Sequence, residues 1–210
     1  MAKNVFYDDD ARERVLGGAK ALYDAVKVTY GPKGRNVVIA KTYGGPTVTH
    51  DGVTVAESVE LPESDDETLG YKVGADLIKQ AAKNLNKAAG DGTTTVTVLT
   101  YNILKEANRL IAAGHNPMEL RHGIEQAGAE VVKSLDKLAE SVEGKSERVA
   151  EVATISAGDE KIGKLIADVI EKVGKDGVVT VEAGQGLEME ADVVEGFSFD
   201  KGWASPFFVT

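Results

Sequence analysis

The chain has 210 residues, is 42% hydrophobic and 28% charged, and carries a formal net charge of -10, the profile of a globular chain long enough for one or two cores. That acidity, with no dense lysine or arginine cluster, argues against nucleic acid or an anionic membrane surface as the main partner. There is no cysteine, so disulfides, thiolate zinc sites and cysteine nucleophiles are excluded, and the composition suits a reducing cytoplasm.

Met1-Ala2-Lys3-Asn4 runs into Asp8-Asp9-Asp10 without an apolar segment, and no targeting signal is read there. No apolar run approaches the roughly 20 residues of a membrane helix. Asp9 or Asp10 is expected to cap a first helix, with Val15, Ala19, Leu22 and Val26 as its buried stripe. The helix stops near Thr29, where Thr29-Tyr30-Gly31-Pro32-Lys33-Gly34-Arg35 breaks the pattern. Asn36 to Ala40 reads as a strand, Lys41 to Pro46 as a turn, and Thr47-Val48-Thr49 as the returning strand of a hairpin ending in His50-Asp51-Gly52. The Thr29 to Arg35 loop is not a Walker A motif, because it lacks the Gly-Lys-Ser/Thr ending and opens a strand. It is either a connector or a backbone-exposing segment suited to lie against a nucleotide. Asp51 is either a turn former before glycine or a second carboxylate near a metal and phosphates.

Pro62 to Glu67 is an acidic, solvated loop, followed by a helix with Val73, Leu77, Ala81 and Leu85 on one face. It delivers the chain to Gly90-Asp91-Gly92-Thr93-Thr94-Thr95, after which Val96, Leu99, Ile103, Ala107 and Leu110 recur at helical spacing. The threonines therefore open a helix, where unpaired N–H groups and the positive end of the dipole attract anions and glycines allow close approach. A carboxylate at Asp91 does not suit bare phosphate, but Mg²⁺ would bridge it to phosphate oxygens. The alternative is a turn followed by a threonine cap with no ligand.

Gly114 stops that helix; Asn116 caps the next and Pro117 opens it, with Leu120, Ile124, Ala127, Val131, Leu135 and Leu138 as its stripe. Up to this point one mostly helical domain is expected. Glu143 to Ser146 is a polar break suited to a hinge, followed by a short helix carrying Val149, Val152 and Ala153. Thr154 to Asp159 caps a further helix with Ile162, Ile166, Val169 and Val173 inward and Gly174 at its end. Val178 to Glu182 and Leu187 to Val194 read as paired strands joined by Gly184-Gln185-Gly186. Trp203, Phe207 and Phe208 belong to an aromatic-rich final stretch, either core or a binding surface.

The segments Val26 to Val38, Ala88 to Thr95, Ala113 to Met118, Thr154 to Ala157, Val173 to Val178 and Val193 to Gly196 together resemble the N-terminal part of the group I chaperonins, the GroEL type. The match runs essentially the whole length. The resemblance implies a multidomain fold: a mainly α equatorial-type ATPase domain with a β-hairpin over residues 1–138, a small α+β intermediate hinge segment over 139–194, and the start of an apical α/β domain over 195–210. It implies a cytoplasmic, ATP-driven folding machine of stacked double rings, with unfolded polypeptide clients and a lid-forming co-chaperonin as partners, and no nucleic acid or membrane. It assigns Asp91 to Mg²⁺, Gly92, Thr93, Thr94 and Thr95 to the phosphates of ATP, and Thr29, Tyr30, Gly31 and Pro32 to a nucleotide-contacting loop. Asp51 matches an acid implicated in hydrolysis, and Trp203, Phe207 and Phe208 match the client-gripping apical surface.

His50 stands where the resemblance implies a nucleotide-contacting lysine, replacing a permanent charge by one that depends on pH. It is either that contact or a polar residue ending a strand. The family chain continues far beyond Thr210 and supplies there the water-positioning carboxylate and the nucleoside-binding wall, so the 210 residues alone are expected to turn over little or no ATP. A different class of function is a non-enzymatic module that binds apolar peptide through Trp203, Phe207 and Phe208. A small-molecule kinase is disfavoured, since no acceptor site or base can be named.

Overall fold

A computed structural model describes residues 4–62, 68–174, 177–182, 184, 186, 189–196, 202, 205 and 207. The chain forms two compact units, Met1–Val131 and Val132–Thr210. In the first unit, α1 (Asp8–Val26) passes through a 3-10 turn at Lys27–Thr29 into β1 (Val37–Ile39) and β2 (Thr47–Thr49). Then come α2 (Gly52–Ser58), α3 (Tyr71–Ala89), α4 (Thr93–Ala112) and α5 (Pro117–Leu138), within which the unit boundary falls.

α1 starts one residue earlier than Asp9, with Tyr7 as its N-cap and no side-chain cap. The reason is that Asp9 and Asp10 are occupied by ion pairs with Arg12 and Arg14, while all three aspartates sit in the first turn, where the helix dipole favours negative charge. The expected stripe holds for Ala19, Leu22 and Val26, each fully buried. Val55 and Ala56 of α2, Ala75 and Ile78 of α3 and Tyr101 of α4 complete that core.

α1 and α3 cross almost backbone to backbone. A Cβ at Gly18 would overlap the carbonyl of Tyr71, and one at Gly74 the carbonyl of Val15. This crossing turns α3 so that Gly74, Ala75, Ile78 and Ala82 are buried, whereas Val73 and Leu77 of the expected face are each 56% exposed. α4 departs in the same way: Thr93, Thr97 and Tyr101 face inward, and Leu99 and Ile103 of the expected stripe are exposed. Two polar members of that inner face find partners. Thr97 donates its hydroxyl to the Thr93 carbonyl at 2.9 Å, and Tyr101 stacks on Tyr23 of α1 with ring centroids 4.4 Å apart. At the α1–α3 crossing itself only glycine fits, because the two backbones approach too closely for any side chain.

β1 and β2 form an antiparallel hairpin in the register Val37 with Thr49, Val38 with Val48 and Ile39 with Thr47. α2 follows it directly, a seven-residue helix in a stretch the sequence had ended at Gly52. Asn116 caps α5 through its side-chain oxygen, 2.8 Å from the Met118 N–H, but no residue of α5 is buried and its stripe finds no cover among the described residues.

In the second unit, α6 (Ser146–Ala157) and α7 (Glu160–Val173) pack as a pair. A Cβ at Gly163 would overlap Thr154, and Ala153 and Ala167 are buried nearby. Thr154 to Ala157 end α6 instead of capping α7; Asp159 alone is that cap, accepting from the Lys161 and Ile162 N–H groups. Gly174 closes α7 as expected. No strand forms among the described residues of 177–194. Val178, Val181 and Val194 are 85%, 79% and 83% exposed, and a two-stranded ribbon without a packed face is marginal in water.

Candidate functional site

Three chain segments bring their ends together in the first unit, and each gets its shape from local chemistry. The first is the loop after α1. Thr29 donates its hydroxyl to the Val26 carbonyl at 2.8 Å, the Gly34 N–H reaches the Gly31 carbonyl at 2.9 Å, and the Arg35 N–H reaches the Val28 carbonyl at 2.8 Å. Tyr30, Gly31 and Pro32 are left exposed at its tip.

The second segment is the start of α2, where Asp51 is the N-cap. Its carboxylate accepts from the Val53 N–H at 3.4 Å, the Thr54 N–H at 2.9 Å and the Thr54 hydroxyl at 2.5 Å. Burial pushes the carboxyl up, but the Thr54 hydroxyl, the Thr54 and Val53 N–H groups and the neighbouring His50 together hold it below the usual carboxylate range. His50 is exposed beside it.

The third segment links α3 to α4. Gly90 (φ 71°) ends α3 by donating its N–H to the Asn86 carbonyl, and Gly92 (φ 83°) precedes α4 in the left-handed region that favours glycine. Thr93 is the first residue of α4, and no side chain caps the helix, so the threonine cap of the ligand-free alternative is absent. The first bond of the helix runs from the Val96 N–H to the Gly92 carbonyl at 2.8 Å. The Thr93, Thr94 and Thr95 N–H groups therefore lack a partner within the helix. Asp91 is exposed, and one carboxylate oxygen accepts from the Gly92 N–H at 2.6 Å.

These segments converge on Thr94. Its hydroxyl oxygen lies 3.3 Å from that of Thr29. A Cβ on Gly52 would overlap it and come within 3.1 Å of the Thr93 hydroxyl and the Thr94 nitrogen. Gly52 is thus a site residue that sequence reasoning treated only as the end of a turn; its signal is an acid-glycine pair opening a helix. Phe207 is 96% exposed, while Trp203 and Phe208 lie outside the described residues.

The donor set fits a magnesium-bound phosphate ligand. Amides without a helical partner supply anion donors, and Asp91 supplies one exposed carboxylate, as Mg²⁺ needs when phosphates and waters complete its shell. Among the described residues no group of three or more His, Asp or Glu gathers around a common point, which is unlike the all-protein cage of a zinc or calcium site.

Residues 22–209 match the sequence profile of the TCP-1/cpn60 chaperonin family. The chain belongs to that family. Among solved structures it is similar to the chaperonin gp146 from bacteriophage EL 2 (Pseudomonas aeruginosa), a crystal structure in presence of ATP-BeFx, with 29% identity and a TM-score of 0.64. That match covers 77% of this chain and 28% of the phage chaperonin, so the chain spans well under half of its relative's length. The mainly helical chaperonin architecture expected from the sequence is therefore the one observed, with no strand among the described residues of 177–194.

Two hollows share no lining residue with this site. One sits at the turn between α4 and α5, against His115, Glu119 and Ile124, and an apolar trough runs along α6 and α7 past Val149, Val152, Ile162 and Ile166. No helix of the described residues is long and apolar enough to cross a membrane.

Proposed function

We propose that this chaperonin chain binds Mg-ATP at the convergence of the Thr29 loop, the start of α2 and the start of α4. The observation that carries the reading is the uncapped start of α4: glycines in left-handed conformation before it, three threonine amides without a helical partner, and a carboxylate at Asp91. In this reading the Thr93, Thr94 and Thr95 amides hold phosphate oxygens, Tyr30, Gly31 and Pro32 line the nucleotide, and Asp91 would hold the metal. Mg²⁺ supplies charge neutralisation on the phosphates when bound. Asp51, kept ionised and oriented by its cap bonds, retains acceptor capacity on the oxygen facing Val53 at 3.4 Å and positions water near the phosphates. His50 lies exposed beside it, where the resemblance implies a nucleotide contact.

In a subunit of the family's length, the reading extends to hydrolysis that drives folding of unfolded polypeptides inside a double ring closed by a co-chaperonin. The division into equatorial (1–138), intermediate (139–194) and apical (195–210) parts, the client-binding role of Trp203, Phe207 and Phe208, and a cytoplasmic setting are parts of the same proposal. Exposure of Phe207 and the absence of cysteine support them.

Amide hydrogen exchange on this chain, with and without Mg-ATP, tests the reading. Slowed exchange at Thr93, Thr94 and Thr95 and in the 30–35 loop is expected. Unchanged exchange there, at millimolar nucleotide, overturns it.

A further inference from the structure

The contact between Thr29 and Thr94 has a direction that follows from counting protons. A hydroxyl has one proton to give. Thr29 spends its own on the Val26 carbonyl at 2.8 Å, so across the 3.3 Å to Thr94 it can only accept. The proton between them therefore comes from Thr94. On the other side Thr94 packs against Gly52, where even a methyl group would overlap its oxygen, so the hydroxyl is confined between the two.

We propose that Thr29 is a positioning residue that commits the Thr94 hydroxyl proton, so that Thr94 meets a bound Mg-nucleotide as a hydrogen-bond acceptor. This rests on the nucleotide reading above and sharpens it. Of the groups at the start of α4, the amides face phosphate oxygens, whereas the Thr94 oxygen, whose proton is taken, faces a donor such as water in the metal's shell. In this arrangement the Thr29 hydroxyl acts through Thr94. The 3.3 Å separation lies beyond the usual range for such a bond, which leaves it room to shorten when the site fills.

The test uses the 210-residue chain, Mg-ATP as the probe, and calorimetric Kd values for four variants. Thr29→Val keeps the shape and removes the acceptor; it is expected to weaken binding about fivefold, the worth of one ordinary hydrogen bond. Thr29→Ser restores the hydroxyl and should bind within about twofold of the parent chain. Thr94→Val should weaken binding at least as much as Thr29→Val, and the double valine variant no more than Thr94→Val alone, because the two hydroxyls act as one unit. Additive losses in the double variant, or Thr29→Ser as weak as Thr29→Val, overturn the proposal. Should the parent chain itself bind no Mg-ATP, the nucleotide reading falls, and the pairing is decided by thermal unfolding of the same variants. Losses in Tm that do not add uphold the directed bond, and losses that add overturn it.

Discussion

The starts of α2 and α4 lie against each other and are finished in opposite ways. At α2 the Asp51 carboxylate closes the helix, taking two backbone N–H groups and a hydroxyl. At α4 the residue before the helix is Gly92, the nearest carboxylate spends one oxygen on its own neighbour's N–H, and the first turn is left without a side-chain cap. The same backbone physics yields a stabilised terminus in one case and a set of free donors in the other. What decides between them is the residue at one position, an aspartate with extended backbone or a glycine with φ 83°.

That contrast can be broken at its point of contact. Gly52→Ala drives a methyl group into Thr94, and a loss of about 2–3 kcal/mol in urea unfolding is expected, the scale of overpacking in a close-packed site. A variant as stable as the parent would mean that the two helix starts part easily. The open end is tested by Asp91→Ala. Mg-ATP affinity by calorimetry should fall about tenfold, or about 1.4 kcal/mol, with Tm nearly unchanged because the carboxylate is exposed.

The closed end is tested by Asp51→Ala, which removes a cap and should cost about 1 kcal/mol. Asp51→Asn keeps one capping oxygen but loses the charge and the second acceptor, so at neutral pH it should fall between the parent and Asp51→Ala. The Asp51 carboxyl is held low in the folded chain. Its ionic contribution to stability is therefore complete above the unfolded carboxylate value of about 3.9 and is lost as the pH falls from there through the folded value. Asp51→Asn should unfold with a shallower acid limb than the parent. The smallest effect is expected of His50→Lys, which puts a permanent charge beside Asp51. It should tighten Mg-ATP binding about twofold at neutral pH, and less in high salt.

The sequence made the site's loops legible because glycine, proline and threonine announce turns and helix starts whatever surrounds them. Gly31, Gly90 and Gly92 all adopt the left-handed backbone that such positions favour. The α1 stripe was legible as well, since Leu22 and Val26 are large and fully buried. The faces of α3 and α4 were not. Periodicity of Val73, Leu77, Leu99 and Ile103 marks an apolar stripe, yet the close α1–α3 crossing gives the interior to Gly74, Ala75, Thr97 and Tyr101 instead. α2 was missed because seven residues carry too little pattern to register as a helix. The strands expected after Val178 rested on strand-forming runs joined by a glycine turn, which cannot supply the packed face a ribbon needs. The role of Gly52 depends on Thr94, distant in sequence, and only the folded chain brings the two together.

The Tyr23–Tyr101 stack adds a mechanical consequence. It ties α4 to α1, while the bare crossing at Gly18 and Gly74 ties α1 to α3, so the three helices share one frame. Against such a frame, a displacement of Thr94 meets the start of α2 first, because Gly52 leaves no space beside the Thr94 hydroxyl.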